Sequence, residues 1–380
     1  MAELEYAQPK NIKSIRNNII TFDSDFPEHI KQLGWVVKRG RVVDKEEMLD
    51  LFPGKKIIGV NDENLGKKLK SEYWIKRFKL VKLAHTDKEV KEKWLEIIQV
   101  SKEQFGIVEG YQPIYLYEVV DFEKPARSMQ MGMMPAKLTH IMLNIGLSVI
   151  ANSHVIANET KQSEITVYDP FVGSWTTGFL ANHFGYDFIG SDIDISTAEK
   201  NKSRRIGHKL ANPDKKFELF THDIHDKIPL DRFSVSALKR FSLLIVTEWR
   251  LGPIITARST TKDVQLAQVQ VLKLYESFLD RIAELKQEIC PPLSSFNSKE
   301  GDHVVVEDFR GKSPAASCGI NSGQGDFAAI CTIPYYIWHS NTLEAKLSKD
   351  LSSKGLSIAS IPEIYARKDQ LIGRKILIIK

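Results

Sequence analysis

Ile165-Thr-Val-Tyr-Asp-Pro-Phe-Val-Gly-Ser-Trp-Thr-Thr-Gly-Phe-Leu180, followed by Ile189-Gly-Ser-Asp-Ile-Asp194, decides the fold of this chain. An apolar run, Ile165 to Val167, leads into Asp169. A turn bearing Gly173 follows, then a run of helical character, then a second short apolar run that ends in Asp192 and Asp194. This is a strand–turn–helix–strand unit. It places a carboxylate at the end of each of two neighbouring strands, beside a tight turn where a ligand can approach backbone amides. Asp192 lies 23 residues beyond Asp169, close to the spacing of about 20 expected of an acid that binds ribose hydroxyls from the next strand. The pattern suits an adenosine-containing cofactor. An ordinary strand-to-helix turn with a capping Asp gives the same letters, so Asp169 and Gly173 alone leave both open. A third acid, Asp223, follows the next strand, Phe217–Phe220. Three successive strands each ending in Asp favour a site.

The fourth strand, Leu243–Val246, runs into Thr-Glu-Trp-Arg-Leu-Gly-Pro253. Ligands of open α/β sheets bind outside the carboxyl ends of the strands. There Glu248 can accept hydrogen bonds from a substrate amine, and Trp249 can stack on a planar base. A surface acid beside a core tryptophan is the equal alternative.

Outward from this unit, strands and helices alternate through Phe327–Ile333 to Ile376–Ile379, which argues a mostly parallel sheet covered on both faces. Leu138–Ala151 and Val264–Ile289 read as helices, and Ser313–Asp326, rich in Gly and Ser, as a loop. Residues 1–125 read as a separate small α+β domain, 126–137 as a linker and 138–380 as the main domain. In the first domain strands are expected over Ile12–Phe22, Gly34–Val43, Lys56–Val60, Phe78–Leu83 and Ile114–Val120. Helices are expected over Lys45–Phe52 and Asp87–Val100, the second because Val90, Trp94, Ile97 and Ile98 share a helical face.

Composition sets loose bounds. Of 380 residues, 42% are hydrophobic and 27% charged, with a net charge of +5, which permits a nucleic-acid partner without demanding one. The three cysteines, Cys290, Cys318 and Cys331, form neither a disulfide framework nor a zinc pattern, so a reducing cytoplasm is expected. The first residues show no basic-then-apolar signal pattern, and no apolar run reaches transmembrane length. His222 and His225 flank Asp223 but lack a further ligand, so no metal site is expected. Lys67, Lys68, Lys70, Lys76, Arg77, Lys79 and Lys82 cluster with Tyr73, Trp74 and Phe78. Basic residues among aromatics suit a nucleic-acid backbone with occasional base stacking; a solvated lysine face over a core aromatic stripe is the blander alternative.

These residues also carry a family resemblance. DPFVGS followed by GSDID resembles the first two motifs of class I S-adenosylmethionine-dependent methyltransferases. GMMPAKLTHIMLNIGL (Gly132–Leu147) is similar to the helix that precedes the cofactor motif in the archaeal-type tRNA guanine-N2-methyltransferases and their bacterial relatives. YARKDQLIGRKI (Tyr365–Ile376) resembles that family's closing segment, and Leu33-Gly34-Trp35-Val36-Val37-Lys38 is similar to its N-terminal region. The resemblance implies a Rossmann-like methyltransferase sheet and an N-terminal α+β RNA-binding domain, often of THUMP type. It implies S-adenosylmethionine as methyl donor and an exocyclic amine of RNA as acceptor, N2 of guanosine in tRNA foremost, with a small partner subunit in some relatives. By position it assigns the cofactor to Asp169, Phe171, Gly173, Asp192 and Asp223, and the target amine to Glu248 and Trp249. Two positions depart from the family. Its turn carries a second glycine where this chain has Trp175, whose indole is expected to crowd the amino-acid end of the cofactor. Its DPPY motif is replaced by Glu248-Trp-Arg-Leu251. A degenerate RNA-binding protein and a DNA amino-methyltransferase therefore stand as the competing expectations.

Overall fold

The computed structural model describes residues 12–16, 19–22, 34, 36–52, 57–73, 75–81, 94–126, 133–153, 165–205, 208–233, 242–248, 252–253, 255–289, 327–337, 339, 341–366 and 370–380. The chain divides into two units, residues 1–124 with 135–144, and residues 125–134 with 145–380.

In the first unit, β1 (Ile12–Arg16) and β2 (Ile19–Phe22) form an antiparallel pair. A separate five-stranded sheet contains β3 (Lys38–Asp44), β4 (Ile57–Val60), β5 (Phe78–Leu80), β6 (Trp94–Gln99) and β7 (Gln104–Tyr111), in the order β3-β7-β6-β4-β5. Two helices pack on it, α1 (Lys45–Asp50) and α2 (Glu63–Glu72). Each begins at an aspartate, Asp44 or Asp62, whose carboxylate accepts a first-turn N–H. Their apolar faces, Met48, Leu65 and Leu69, close a core with Ile58, Val60, Ile97 and Phe105.

Two expectations fail here. Residues 94–99 are strand rather than helix. Glu96, which reads in the sequence as a solvent-facing charge, is 1% exposed, paired with Lys38 and accepting from the Tyr111 hydroxyl. With Glu96 inside, the charges no longer mark a wet helical face, and the adjacent β-branched residues Ile97 and Ile98 suit a strand paired on both edges. The rest of the expected helix, 87–93, lies outside the described residues. Conversely, Ile114–Phe122 is helix α3 rather than strand. It follows Pro113, and its buried positions Leu116, Tyr117, Val119 and Val120 recur with helical spacing while Glu118 is exposed. Helix α2 and strand β7 are additions to the expected elements. The expected linker 126–137 is described only in part.

In the second unit, α4 (Ala136–Ser153, from Ile145 onward) precedes β8 (Ile165–Asp169), α5 (Thr176–Phe184), β9 (Asp187–Asp192), α6 (Ser196–Arg205), β10 (Phe217–Thr221), β11 (Ser242–Glu248), α7 (Thr261–Ile289), β12 (Phe327–Tyr336), α8 (Leu343–Ser353), β13 (Ile358–Tyr365) and β14 (Ile372–Ile379). The sheet order is β10-β9-β8-β11-β12-β14-β13. Its β8–β12 strands run parallel, and β14 inserts antiparallel between β12 and β13. This is a Rossmann-like sheet, as the motifs imply. β11 is central and buried from Ser242 through Thr247, which explains its unbroken apolar run. Leu243 and Ile245 face a core with Val271, Tyr275, Phe278 and Leu279 of α7. Leu244 and Ile330 meet α4 at Gly146. The expected loop 313–326 lies outside the described residues, and no described helix is long and apolar enough to cross a membrane.

Candidate active site at the switch point

From β8 the chain steps outward through β9 to β10, then returns to lay β11 on the other side of β8. The carboxyl ends of β8 and β11 therefore flank a topological switch point, where open α/β sheets bind ligands. Asp169 ends β8, Asp192 ends β9, Asp223 lies two residues beyond β10 and Glu248 ends β11. The sheet thus brings these four sequence-predicted acids to one edge.

The turn after β8 is tightly held. The Phe171 N–H donates to Asp169 Oδ1 at 3.0 Å, the Val172 N–H to the Ser191 carbonyl at 2.9 Å and the Gly173 N–H to Asp192 Oδ2 at 2.9 Å. Asn201 of α6 donates to the Ser174 carbonyl at 3.0 Å. Gly173 has φ +46°, and a Cβ there would touch only its own turn. Asp192 is thus an organiser of the turn as well as a candidate ribose acid; its Oδ1 accepts the Asp194 N–H over a long 3.4 Å. Asp194 itself caps α6 through the Ser196 N–H at 2.8 Å.

Asp169 is buried, and the Thr247 hydroxyl donates to its Oδ1 at 2.5 Å. Loss of solvation pushes its carboxyl up to about 7, against the pull of the Thr247 hydrogen bond. Burial likewise raises Asp192, opposed by the Gly173 N–H. Phe171 lies against Phe278 of α7, ring centroids 5.8 Å apart, and so borders the core under the turn. The Asp223 carboxylate accepts the His225 N–H at 3.0 Å.

Trp175 departs from expectation. It takes a left-handed backbone, φ 64° and ψ 31°, and is alone among the described non-glycine residues in positive φ. This is the conformation a glycine there would supply. Its indole does not crowd the ligand edge. It is 2% exposed and packs beneath α5 against Phe179 and Phe217, centroids 6.0 and 5.8 Å away. Phe217 opens β10, so the ring reaches back toward the amino ends of the strands. A Cβ on Gly178 would collide with the indole Nε1. The indole therefore takes the volume that a side chain at 178 would fill. Nε1 itself is buried without a hydrogen-bond partner among the described residues.

Glu248 is also not as expected. Arg374 of β14 forks onto it, Nε to Oε1 and Nη2 to Oε2, and both side chains are 8% exposed. Burial raises the Glu248 carboxyl, opposed by the Arg374 charge. Trp249 lies outside the described residues. Sequence reasoning missed Thr247, Asn201 and Arg374. The cations Arg374 and Lys375 within the otherwise apolar strand Ile372–Ile379 were the available signal for the last. Asn201, on a polar helix, gave none.

The donor-rich parts of an S-adenosylmethionine molecule (ammonium, ribose hydroxyls, adenine amine) match this row of acceptors. A phosphate-bearing cofactor would meet like charge there. No family model and no curated protein matches the chain. Among solved structures it is similar to the N-terminal domain of human METTL16 in complex with SAH, at 10% identity over 75% of this chain and 88% of that one, with a TM-score of 0.38. It is also similar to the human methyltransferase 10 domain containing protein, at 8% identity over 70% and 94%, TM-score 0.35. The third is magnesium protoporphyrin IX methyltransferase from Synechocystis PCC 6803 with bound SAM, at 12% identity over 70% and 95%, TM-score 0.32. The strand order, not these distant likenesses, carries the fold.

Proposed function

We propose that this protein binds S-adenosylmethionine at the carboxyl edge of β8 and β9 and transfers its methyl group to an exocyclic amine of RNA, N2 of guanosine in tRNA being the foremost candidate. The observation that carries this is the row of acids at the carboxyl edge of four adjacent strands, three at the strand ends and Asp223 just beyond β10, around a held, positive-φ turn. Asp169 and Asp192 suit the ammonium and the ribose hydroxyls, and Asp223 suits the adenine amine. The bound cofactor supplies a methyl carbon on a cationic sulfur, so the protein has positioning to do rather than strong base chemistry. A carboxylate offers about four acceptor sites, and the Arg374 fork takes two of those on Glu248. The Thr332 hydroxyl faces the same carboxylate, and a remaining site can accept an amine N–H and orient the nitrogen lone pair. A base within a helical stem must first be turned out to reach this edge.

The basic face of the N-terminal unit supports an RNA acceptor. Lys67, Lys70, Lys76, Arg77 and Lys79 are exposed along α2 and β5. Tyr73 and Phe78 are packed against the local core, so among the described residues this face offers charge to a phosphate backbone rather than rings to bases. Trp74 and Lys82 lie outside the described residues. A cytoplasmic location and a small activating subunit belong to the same proposal.

A second function, RNA binding without turnover, is favoured by one observation: Glu248 is already paired. Calorimetric titration with S-adenosylmethionine, followed by methyl incorporation into total tRNA and duplex DNA, separates the possibilities. Micromolar binding with label in tRNA supports the first. Binding without label supports the second, and label in DNA alone redirects the acceptor.

A further inference from the structure

We infer that Arg374 is a positioning residue of the acceptor site, holding Glu248 as a fixed carboxylate so that it can receive the target amine. This rests on the methyl-transfer function proposed above. Glu248 ends the central strand β11, while Arg374 comes from β14, two strands away, 126 residues later in the chain. The close Nε contact fixes one carboxylate oxygen, and Nη2 faces the other over a long 3.4 Å, so that the guanidinium sets the position of the carboxylate and biases its plane. At 8% exposure each, neither group has water as an adequate alternative partner.

The surroundings make Arg374 the source of that charge state. Beside Glu248 lie the Thr332 hydroxyl of β12 and Tyr275 of α7, and around Tyr275 lie Cys331 and Tyr336 of β12. Burial raises Tyr275, Cys331 and Tyr336, and so keeps them neutral. Among these groups Arg374 alone supplies positive charge. Without it Glu248 would take up a proton, becoming a donor through one oxygen and losing its set position. A protonated, free Glu248 no longer draws the amine N–H, and the nitrogen lone pair loses its direction toward the methyl carbon.

The test compares wild type with Arg374→Met, Arg374→Lys and Glu248→Gln. Each is assayed for S-adenosylmethionine affinity, and for kcat and KM of methyl transfer into total tRNA across acidic to alkaline pH. Arg374→Met is expected to keep cofactor affinity within about twofold and to lose about 100-fold in kcat at neutral pH, the scale of a misplaced reacting group. The loss should shrink as pH rises, because an unpaired Glu248 must then shed a proton. Arg374→Lys should restore part of kcat and most of the wild-type pH profile, and it also serves where Arg374→Met does not fold. A wild-type pH profile and kcat in Arg374→Met overturn the inference alone. A loss that is equal at every pH and matched by lost cofactor binding overturns it as well, leaving the pair purely structural. A wild-type protein that binds the cofactor but labels neither RNA nor DNA overturns the methyl-transfer function and this role together.

Discussion

The Thr247 hydroxyl donates to the Asp169 carboxylate at 2.5 Å, tying β11 to β8 across the switch point. Thr247 is fully buried and Asp169 is 2% exposed, so a candidate ligand-binding acid is held where ionisation is costly. Burial raises its pKa to about 7 from the ordinary 3.8. The folded protein therefore holds this proton more tightly than the unfolded chain. The stability it contributes is complete below about pH 4 and is lost as pH rises through about 7. Asp169→Asn should accordingly raise the melting temperature relative to wild type more at pH 8 than at pH 4. The same change should weaken S-adenosylmethionine binding by about tenfold or more, the scale of a lost charge-assisted hydrogen bond. Calorimetry at the two pH values checks both; equal melting shifts at both would contradict the burial account.

Binding of a cationic ligand at Asp169 should also release a proton near neutral pH. In buffers of different ionisation enthalpy, the observed binding heat should vary, most strongly below about pH 7. Asp169→Asn should abolish that buffer dependence.

Trp175→Gly should destabilise the protein without improving cofactor affinity. Removing a buried tryptophan costs about 3–5 kcal/mol, and relief of the left-handed backbone returns about 1–2 kcal/mol. The net expectation is a loss of about 1–4 kcal/mol in urea unfolding. Gly178→Ala should destabilise at the same place, because its methyl would meet the indole. A clear gain in cofactor affinity for Trp175→Gly would return the indole to the ligand edge.

Asn201→Ala removes the side chain that donates to the Ser174 carbonyl and also holds both backbone groups of Ala126. A loss of about 1–3 kcal/mol in stability follows from the unsatisfied groups. Because the turn then loosens, cofactor binding should weaken in parallel, which calorimetry would show.

Neutralising Lys70, Lys76, Arg77 and Lys79 together should weaken RNA binding on every sequence alike. The slope of log affinity against log salt should fall by up to about 3.6, at about 0.7–0.9 for each phosphate that no longer meets a cation. An unchanged slope would place the RNA elsewhere.

Much of the second unit was legible in the sequence because its signals are local. Strands β8 to β12 are short apolar runs; Asp169 and Asp192 close the first two, and Asp223 follows the third. The long α7 helix declared itself by length. What escaped depended on partners distant in the chain. Glu96 reads as a surface charge until Lys38 and Tyr111 are placed around it. Trp175 reads as an obstruction until Gly178 and Phe217 show where the ring goes. Glu248 reads as a free acceptor until β14 brings Arg374 to it. Ile114–Val120 shows the opposite limit: a short apolar run does not settle strand against helix, and there the helical spacing of its buried positions prevailed.

The insertion of β14 between β12 and β13 sets an order of assembly. During synthesis β12 and β13 emerge with no strand between them. β12 then offers an unpaired edge of apolar residues, Ala328 to Ile333, for the time it takes residues 372–379 to clear the ribosome. Until then Glu248 also lacks its cation. A nascent chain stalled before Arg374 therefore carries both an open strand edge and a buried carboxylate without its cation.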